Sequence, residues 1–336
     1  MKKGVISALL IFGMVLFTAC SDGSGTAATV DGEKIKEKDV TARIEAMREL
    51  SPDYSTKKGW EAALKQASLT PETLRKQIIE NMARNILIGK AAEKEGLKAN
   101  EKAIDEQIAS IKKNSGKDKD GWKRLLASYG VSDEDGLRQV LKEQDLNNQL
   151  REKIAGTKTP SEEEINDYIK KNAANFAGRE SAQILLTAED GTEDAQMKLA
   201  GKILAELKKG ADFGALAKKY SRDTASVNQD GMVGWSSLAS VKPPQQYTDA
   251  LSKLKKGELS SPVKSDLGVH IIKCLDIFEP KGEVKPGDIP KQIDEALKKQ
   301  AVQASGQAVY QEYVNKLYSD AKIEIHTMPK NVSYGI

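Results

Sequence analysis

Histidine and cysteine, the side chains that most often carry chemistry near neutral pH, are scarce here, with two of each in 336 residues. His270, His326, Cys20 and Cys274 show no metal-ligand spacing. No Ser-His-Asp arrangement can be assembled around so few histidines, which argues against hydrolysis. There is no glycine-rich phosphate loop either. His270 stands in Gly268-Val269-His270-Ile271-Ile272-Lys273, which reads as a strand, where a lone histidine is by default a structural polar residue. Cys274 lies four residues further along, about 13 Å away on the same face at about 3.3 Å per residue, and reads as a small buried apolar side chain. Asp223 alone reads equally as a helix or turn residue, and Trp235 and Tyr247 alone as aromatic core. His326, near the C-terminus, carries no argument.

The first residues indicate a compartment. Lys2 and Lys3, an apolar run from Val5 to about Phe17 and the small residues Thr18 and Ala19 describe a secretory signal peptide over residues 1–19. The polar run from Ser21 to Gly25 begins too soon for a membrane-spanning helix, which needs about 20 apolar residues. Phe17-Thr18-Ala19-Cys20 resembles the lipobox of bacterial lipoproteins, which implies a lipid on Cys20 as a membrane anchor. Phe17 stands where Leu or Val is usual. Residues 20–28 then read as anchor and tether. Losing Lys2 and Lys3 lowers the formal charge from +3 to +1. With 30% charged residues of both signs, the surface is solvated and has no nucleic-acid footprint.

The rest of the chain must supply elements that position any site. Asp31-Gly32 suits a tight hairpin between two short strands. From there to about Ile154 the pattern is helical. Pro71-Glu72 starts a long helix, with Leu74, Ile78, Met82, Ile86 and Leu87 at helical spacing. Further helices are expected near 100–114, 119–129 and 132–153, and another after Thr159-Pro160-Ser161 that ends near Asn172. Past about Glu180 the pattern changes. Strands are expected over 181–187, 259–264 and 269–278, helices over 193–209, 212–220 and 245–254, and a glycine-rich loop over 230–235. Strands and helices mixed over about 100 residues suggest a compact α+β domain. Residues 290–321 read as one amphipathic helix too long to bury its stripe alone, so it is expected to fold back onto the N-terminal helices.

Five ordered blocks carry a family resemblance. They are Ala182-Gln183-Ile184-Leu185-Leu186, the run from Gly210 to Ser221, Gly231-Met232-Val233-Gly234-Trp235, the run from Leu254 to Val263, and Gly268-Val269-His270-Ile271-Ile272-Lys273. Together they resemble a parvulin-type peptidyl-prolyl isomerase domain over about residues 180–278. The flanking parts are similar, more weakly, to the SurA and PrsA class of extracytoplasmic foldases. The resemblance implies an α+β architecture with a helical N-terminal lobe over 29–175, an inserted parvulin-like domain over 180–280 and a C-terminal helix over 285–325 packing on the lobe.

The chemistry of such a domain is rotation about an X–Pro bond, against a barrier of roughly 18–20 kcal/mol. A catalyst must grip the proline ring in a water-poor pocket and fit the twisted amide better than the planar one; it needs neither metal nor cofactor. The resemblance makes His270 the second active-site histidine, Ser265 the hydroxyl residue that bonds it and Asp223 the residue beside the amide. Val233, Trp235 and Tyr247 fall at positions that line the proline pocket. Gln183 replaces the first-strand histidine; it can donate and accept hydrogen bonds but cannot change charge, so weakened activity is expected. The acidic loop Ala188-Glu189-Asp190-Gly191-Thr192-Glu193-Asp194 would repel phosphate, so no dependence on phosphorylated substrates is expected. The implied partners are unfolded or partly folded exported polypeptides with X–Pro bonds, met outside the cytoplasm at a membrane held through Cys20. A chaperone with a degenerate parvulin domain, or an assembly lipoprotein that docks through the fold, are the alternatives.

Overall fold

The structure, a computed structural model, describes residues 25–114, 119–330 and 332–334. The expected signal peptide and the expected lipid site at Cys20 lie outside the described residues. The chain divides into two units: one takes it up to Thr159 and again from Ser305, the other holds Pro160–Ala304.

The first unit is mostly helical. It opens with an antiparallel hairpin of β1 (Thr26–Val30) and β2 (Glu33–Lys36). At the turn, Asp31 and Gly32 have φ of 48° and 81°, the left-handed pair that a two-residue hairpin needs. A C-terminal strand, Ile323–Ile325, pairs with the other side of β1, so both ends of the unit meet in one sheet. The helices are α1 (Glu37–Arg48), α2 (Lys57–Gln66), α3 (Pro71–Lys94), α4 (Glu101–Asn114), α5 (Lys119–Ser128) and α6 (Glu134–Ala155). Thr70 starts α3 by accepting the Thr73 N–H, with Pro71 in the first turn. The stripe of Leu74, Ile78, Met82, Ile86 and Leu87 is buried against Val30, Ile44, Trp60 and Leu64. Within this core Arg75 pairs with Glu37 at 2.6 Å, and the Tyr334 hydroxyl donates to the same carboxylate at 2.8 Å.

The second unit begins with α7 (Glu162–Asn172), capped by Ser161 and Glu164, each bonding the other's backbone N–H. A four-stranded antiparallel sheet follows in the order β4-β3-β6-β5: β3 (Gly178–Leu186), β4 (Met232–Trp235), β5 (Val263–Ser265) and β6 (Gly268–Phe278). The helices α8 (Glu193–Lys208) and α9 (Phe213–Tyr220) cover one face, and α10 (Gln245–Leu251) packs on the other. The last helix, α11 (Lys291–Asp320), contributes Ile293 and Leu297 to the second unit and, beyond Ser305, Tyr310, Val314 and Leu317 to the first.

Three sequence expectations change. A boundary at residue 175 left α7 with the helical lobe; in the structure Ile165, Tyr168 and Ile169 pack on Phe278, Ile289 and Ile293, within the second unit. The segment expected as a glycine-rich loop contains β4, because the positive φ of Gly231 and Gly234 is accommodated in a bulged pairing with β3. The strand expected over 259–264 is confined to Val263–Ser265, after Pro262, which has no N–H for a ladder.

Candidate functional site

The sheet's two-residue period builds the site. Ala182, Ile184 and Leu186 of β3 and Val269 and Ile271 of β6 enter the core under α8 and α9. The alternate residues face the other way, so Gln183 and His270 emerge on the face where Tyr247 of α10 packs on Ile272 and Cys274. Register brings the two polar side chains together, since His270 lies opposite Leu185 and Gln183 opposite Ile272. Gly268 sets that register: its φ is 131°, and a Cβ there would stand 2.0 Å from the Leu186 carbonyl oxygen.

From these strands a chain of hydrogen bonds runs outward with one consistent direction. The Asp223 carboxylate can only accept, and its Oδ2 receives the Gln183 Nε2–H at 2.7 Å. That turns Gln183 Oε1 toward His270 Nδ1, 2.8 Å away, which must then carry the proton. His270 Nε2 is left as an acceptor and takes the Ser265 hydroxyl at 2.7 Å. Ser265 Oγ in turn accepts the Leu267 N–H at 3.1 Å, inside the β5–β6 turn. Every link is satisfied with a neutral imidazole in its Nδ1–H tautomer.

Burial agrees. His270 is 1% exposed, and desolvation lowers its pKa to about 4 against the opposing pull of Asp223. Asp223, Gln183 and Ser265 stay partly exposed. Asp223 is also held by the Ser226 hydroxyl, which donates to Oδ2 at 2.5 Å, and by the Ala225 N–H, which donates to Oδ1 at 3.1 Å. Tyr247 meets the His270 ring edge-on, with centroids 5.5 Å apart, and donates its hydroxyl to Ser181 Oγ at 3.0 Å. Desolvation pushes the Tyr247 phenol up to about 12, so it remains a donor.

Not every expected residue joins this cluster. Val233 lies half-buried on β4, two residues past Gly231, whose carbonyl accepts the Gln183 N–H at 2.8 Å. Trp235 is a correction: its indole, 4% exposed, lies in the apolar cluster of Ile169, Phe176, Phe278 and Ile293. The fourth residue of β4 has passed beyond the bulge at Ser181/Ala182, and pairing with Glu180 carries Trp235 toward α7. Cys274 is fully buried in the Tyr247 cluster, as expected of a small apolar side chain, and desolvation raises its thiol pKa. Ser226, Ser181 and Ser221 were missed. Ser221 Oγ accepts the N–H groups of Leu185 and Asp223, tying the Asp223 turn to β3. The polar run Ser221-Arg222-Asp223-Thr224-Ala225-Ser226 was the available signal.

The acidic loop after β3 engages Arg222 in two-pronged fashion: Asp190 Oδ1 takes its Nε and Nη2 at 3.1 and 2.6 Å. The guanidinium next to Asp223 in sequence is therefore already paired. Among the described residues no group of three or more His, Cys, Asp or Glu gathers as a metal would require, and no helix is long and apolar enough to cross a membrane.

This sheet, with its amide–imidazole–hydroxyl chain, defines a parvulin-type isomerase domain in a chain that also carries a helical unit. The family model described as "PPIC-type PPIASE domain" matches residues 183–276, and that of the "SurA-like N-terminal domain" matches residues 2–151. Foldase protein PrsA of Geobacillus sp. (strain WCH70) is 32% identical over 252 residues, covering 74% of this chain and 79% of that protein. PrsA of Clostridium perfringens (strain ATCC 13124) is 27% identical, covering 89% of each. Chaperone SurA of Photorhabdus laumondii is 29% identical over 80% of this chain, which spans 62% of that longer protein. The crystal structure of PrsA from Bacillus subtilis is similar at 23% identity and a TM-score of 0.33, covering 90% of this chain and 94% of that one. The chain belongs to the PrsA foldase family, and is a PPIC-type peptidyl-prolyl cis-trans isomerase with a folding-assisting role.

Proposed function

We propose that this protein, anchored outside the cytoplasm by a lipid on Cys20, isomerises X–Pro bonds in exported polypeptides while its helical unit holds them. The compartment rests on the signal sequence and the Phe17-Thr18-Ala19-Cys20 junction. The chemistry rests on one observation above all, the closed chain Asp223–Gln183–His270–Ser265 with three links of 2.7–2.8 Å.

A planar X–Pro amide draws its stiffness from a resonance form with negative charge on oxygen. A carboxylate held beside that oxygen makes the charge-separated form less favourable, and twisting the bond removes it. In this reading Asp223 is the catalytic group at the amide, with Ser226 and the Ala225 N–H keeping it in place. Gln183 hands the orientation inward to His270, a neutral spacer that transfers no proton at pH 7. Ser265 holds the far side of the imidazole. Tyr247 and Val233 form the apolar wall for the pyrrolidine ring. Exposed Met232 and Leu267 flank Val233 and Ser265 in sequence and would shield the bound proline from water. Trp235 has no part in it.

A protease-coupled assay of proline-peptide isomerisation by the full chain tests this, with His270→Ala alongside. The expected result is acceleration by the wild type and a fall of about tenfold in kcat/KM, about 1.4 kcal/mol of transition-state stabilisation, in the variant. Suppressed client aggregation without any acceleration would leave only a chain holder.

A further inference from the structure

The helix that carries Tyr247 is lightly held. α10 is seven residues long, and Pro244 at its N-cap supplies no side-chain cap. It follows residues 239–244, which form neither helix nor strand and include Val241, 83% exposed. Two of its polar side chains are spent locally, Gln245 on Asp249 and Thr248 on the Gln245 carbonyl. Among the described residues, the one hydrogen bond that ties α10 to the sheet is the Tyr247 hydroxyl donating to Ser181 Oγ at 3.0 Å. The rest of its hold is apolar packing of Tyr247 and Leu251 on Ile272 and Cys274, which is non-directional and does not by itself fix a position along the sheet.

Ser181 is a firm place for such a tie. β3 is paired on both sides, and Ser181 lies opposite Gly234 of β4 and Cys274 of β6. It shares a face with Gln183, two residues on and roughly 6.6–6.8 Å away. Packing alone has no use for a hydroxyl here. Ser181 is 1% exposed and Tyr247 2%, and an alanine facing a phenylalanine would keep nearly the same shape with no buried polar atom to satisfy. What the pair adds is direction. Tyr247 meets the His270 ring edge-on with centroids 5.5 Å apart, and the bond at its far end sets where that ring stands.

We propose that Ser181 is a positioning residue of the isomerase: by accepting the Tyr247 hydroxyl it fixes α10 against β3, so that the wall of the proline pocket stands in place before a substrate arrives. The proposal rests on the reading of Tyr247 as that wall and names what holds it. A wall ordered anew with each substrate lowers affinity. The pyrrolidine ring changes little as the bond twists, so the effect falls on KM and spares kcat.

The test measures KM, kcat and melting temperature of the full chain with a proline peptide in Ser181→Ala, Tyr247→Phe and the double variant. KM should rise about fivefold in all three, the effect of about one ordinary hydrogen bond, with kcat within about twofold of the wild type. Melting temperature separates positioning from packing. Each single variant leaves one buried hydroxyl unpaired and should melt lower, whereas the double variant leaves none and should melt close to the wild type while its KM stays high. A KM that recovers together with the melting temperature in the double variant, single effects that multiply there, or a wild-type KM in all three overturns the proposal. Tyr247→Ala tells its failure from that of the pocket reading. A raised KM in Tyr247→Ala alone overturns the anchor and leaves the wall, and a wild-type KM there overturns both.

Discussion

At the scale of single residues, Gln183 changes what His270 can do. A second imidazole could share or pass a proton, whereas a carboxamide whose nitrogen is committed to Asp223 offers His270 only an acceptor. The Nδ1–H tautomer is therefore fixed, and burial disfavours the charged form. Because the folded pKa, about 4, lies below the ordinary value of 6.5, the unfolded chain binds the proton first as pH falls. The neutral imidazole's contribution, about 3 kcal/mol, is complete above pH 6.5 and disappears between about 6.5 and 4. Imidazole NMR can check this with little ambiguity, since His326 is the other of only two histidines. The His270 ring, in the Nδ1–H form, should stay neutral until about pH 4; a His270 ring titrating near 6.5 would contradict it. The pairing of Gln183 with His270 was legible from strand alternation and the family blocks. The tie from Gln183 to Asp223 was not, because it joins a strand to a turn 40 residues away through side-chain geometry alone.

At the scale of elements, what the sequence conveyed well was whatever depends on local periodicity. The α3 stripe, the Ser161 capping box and the Asp31-Gly32 turn all carry their structure in neighbouring residues. What it conveyed poorly depended on partners. β4 reads as a loop because Gly231 precedes it and Gly234 lies within its four residues, and it becomes a strand only by pairing with β3. Trp235 followed: in a loop it could have lined the proline pocket, but the fourth position of a bulged strand delivers it to α7. Gly268 shows the same dependence at the site itself. Gly268→Ala should destabilise the protein by at least about 2 kcal/mol in urea unfolding, from strain at φ 131° and the contact with Leu186 O. It should also reduce isomerase activity by displacing the start of β6. A variant as stable and active as the wild type would mean that the register of His270 has another source.

At the scale of the whole molecule, the chain runs from the first unit through the second and back. Its C-terminal part returns to the first unit, where Ile323–Ile325 closes the β1 sheet and the Tyr334 phenol completes the buried Arg75–Glu37 pair. Burying that pair is costly unless each group is satisfied, and the His326 carbonyl takes a further Arg75 donor at 3.0 Å. The sequence signalled this return only as an amphipathic helix in need of a cover; the strand and the buried tyrosine beyond it lie in a stretch too short and polar to show a period.

The claim on which the isomerase mechanism turns is that a carboxylate at position 223, held by Ser226 and aimed through Gln183, acts on the substrate amide. Its most direct test is kcat/KM of the full chain toward a proline peptide before and after Asp223→Asn, a change that keeps the side chain's shape and removes its charge. The expected result is a loss of about tenfold or more in a variant that is still folded at the assay temperature, with a lowered melting temperature because one of the oxygens that accept from Gln183, Ser226 and Ala225 becomes a donor. A variant that turns the peptide over as fast as the wild type would contradict it.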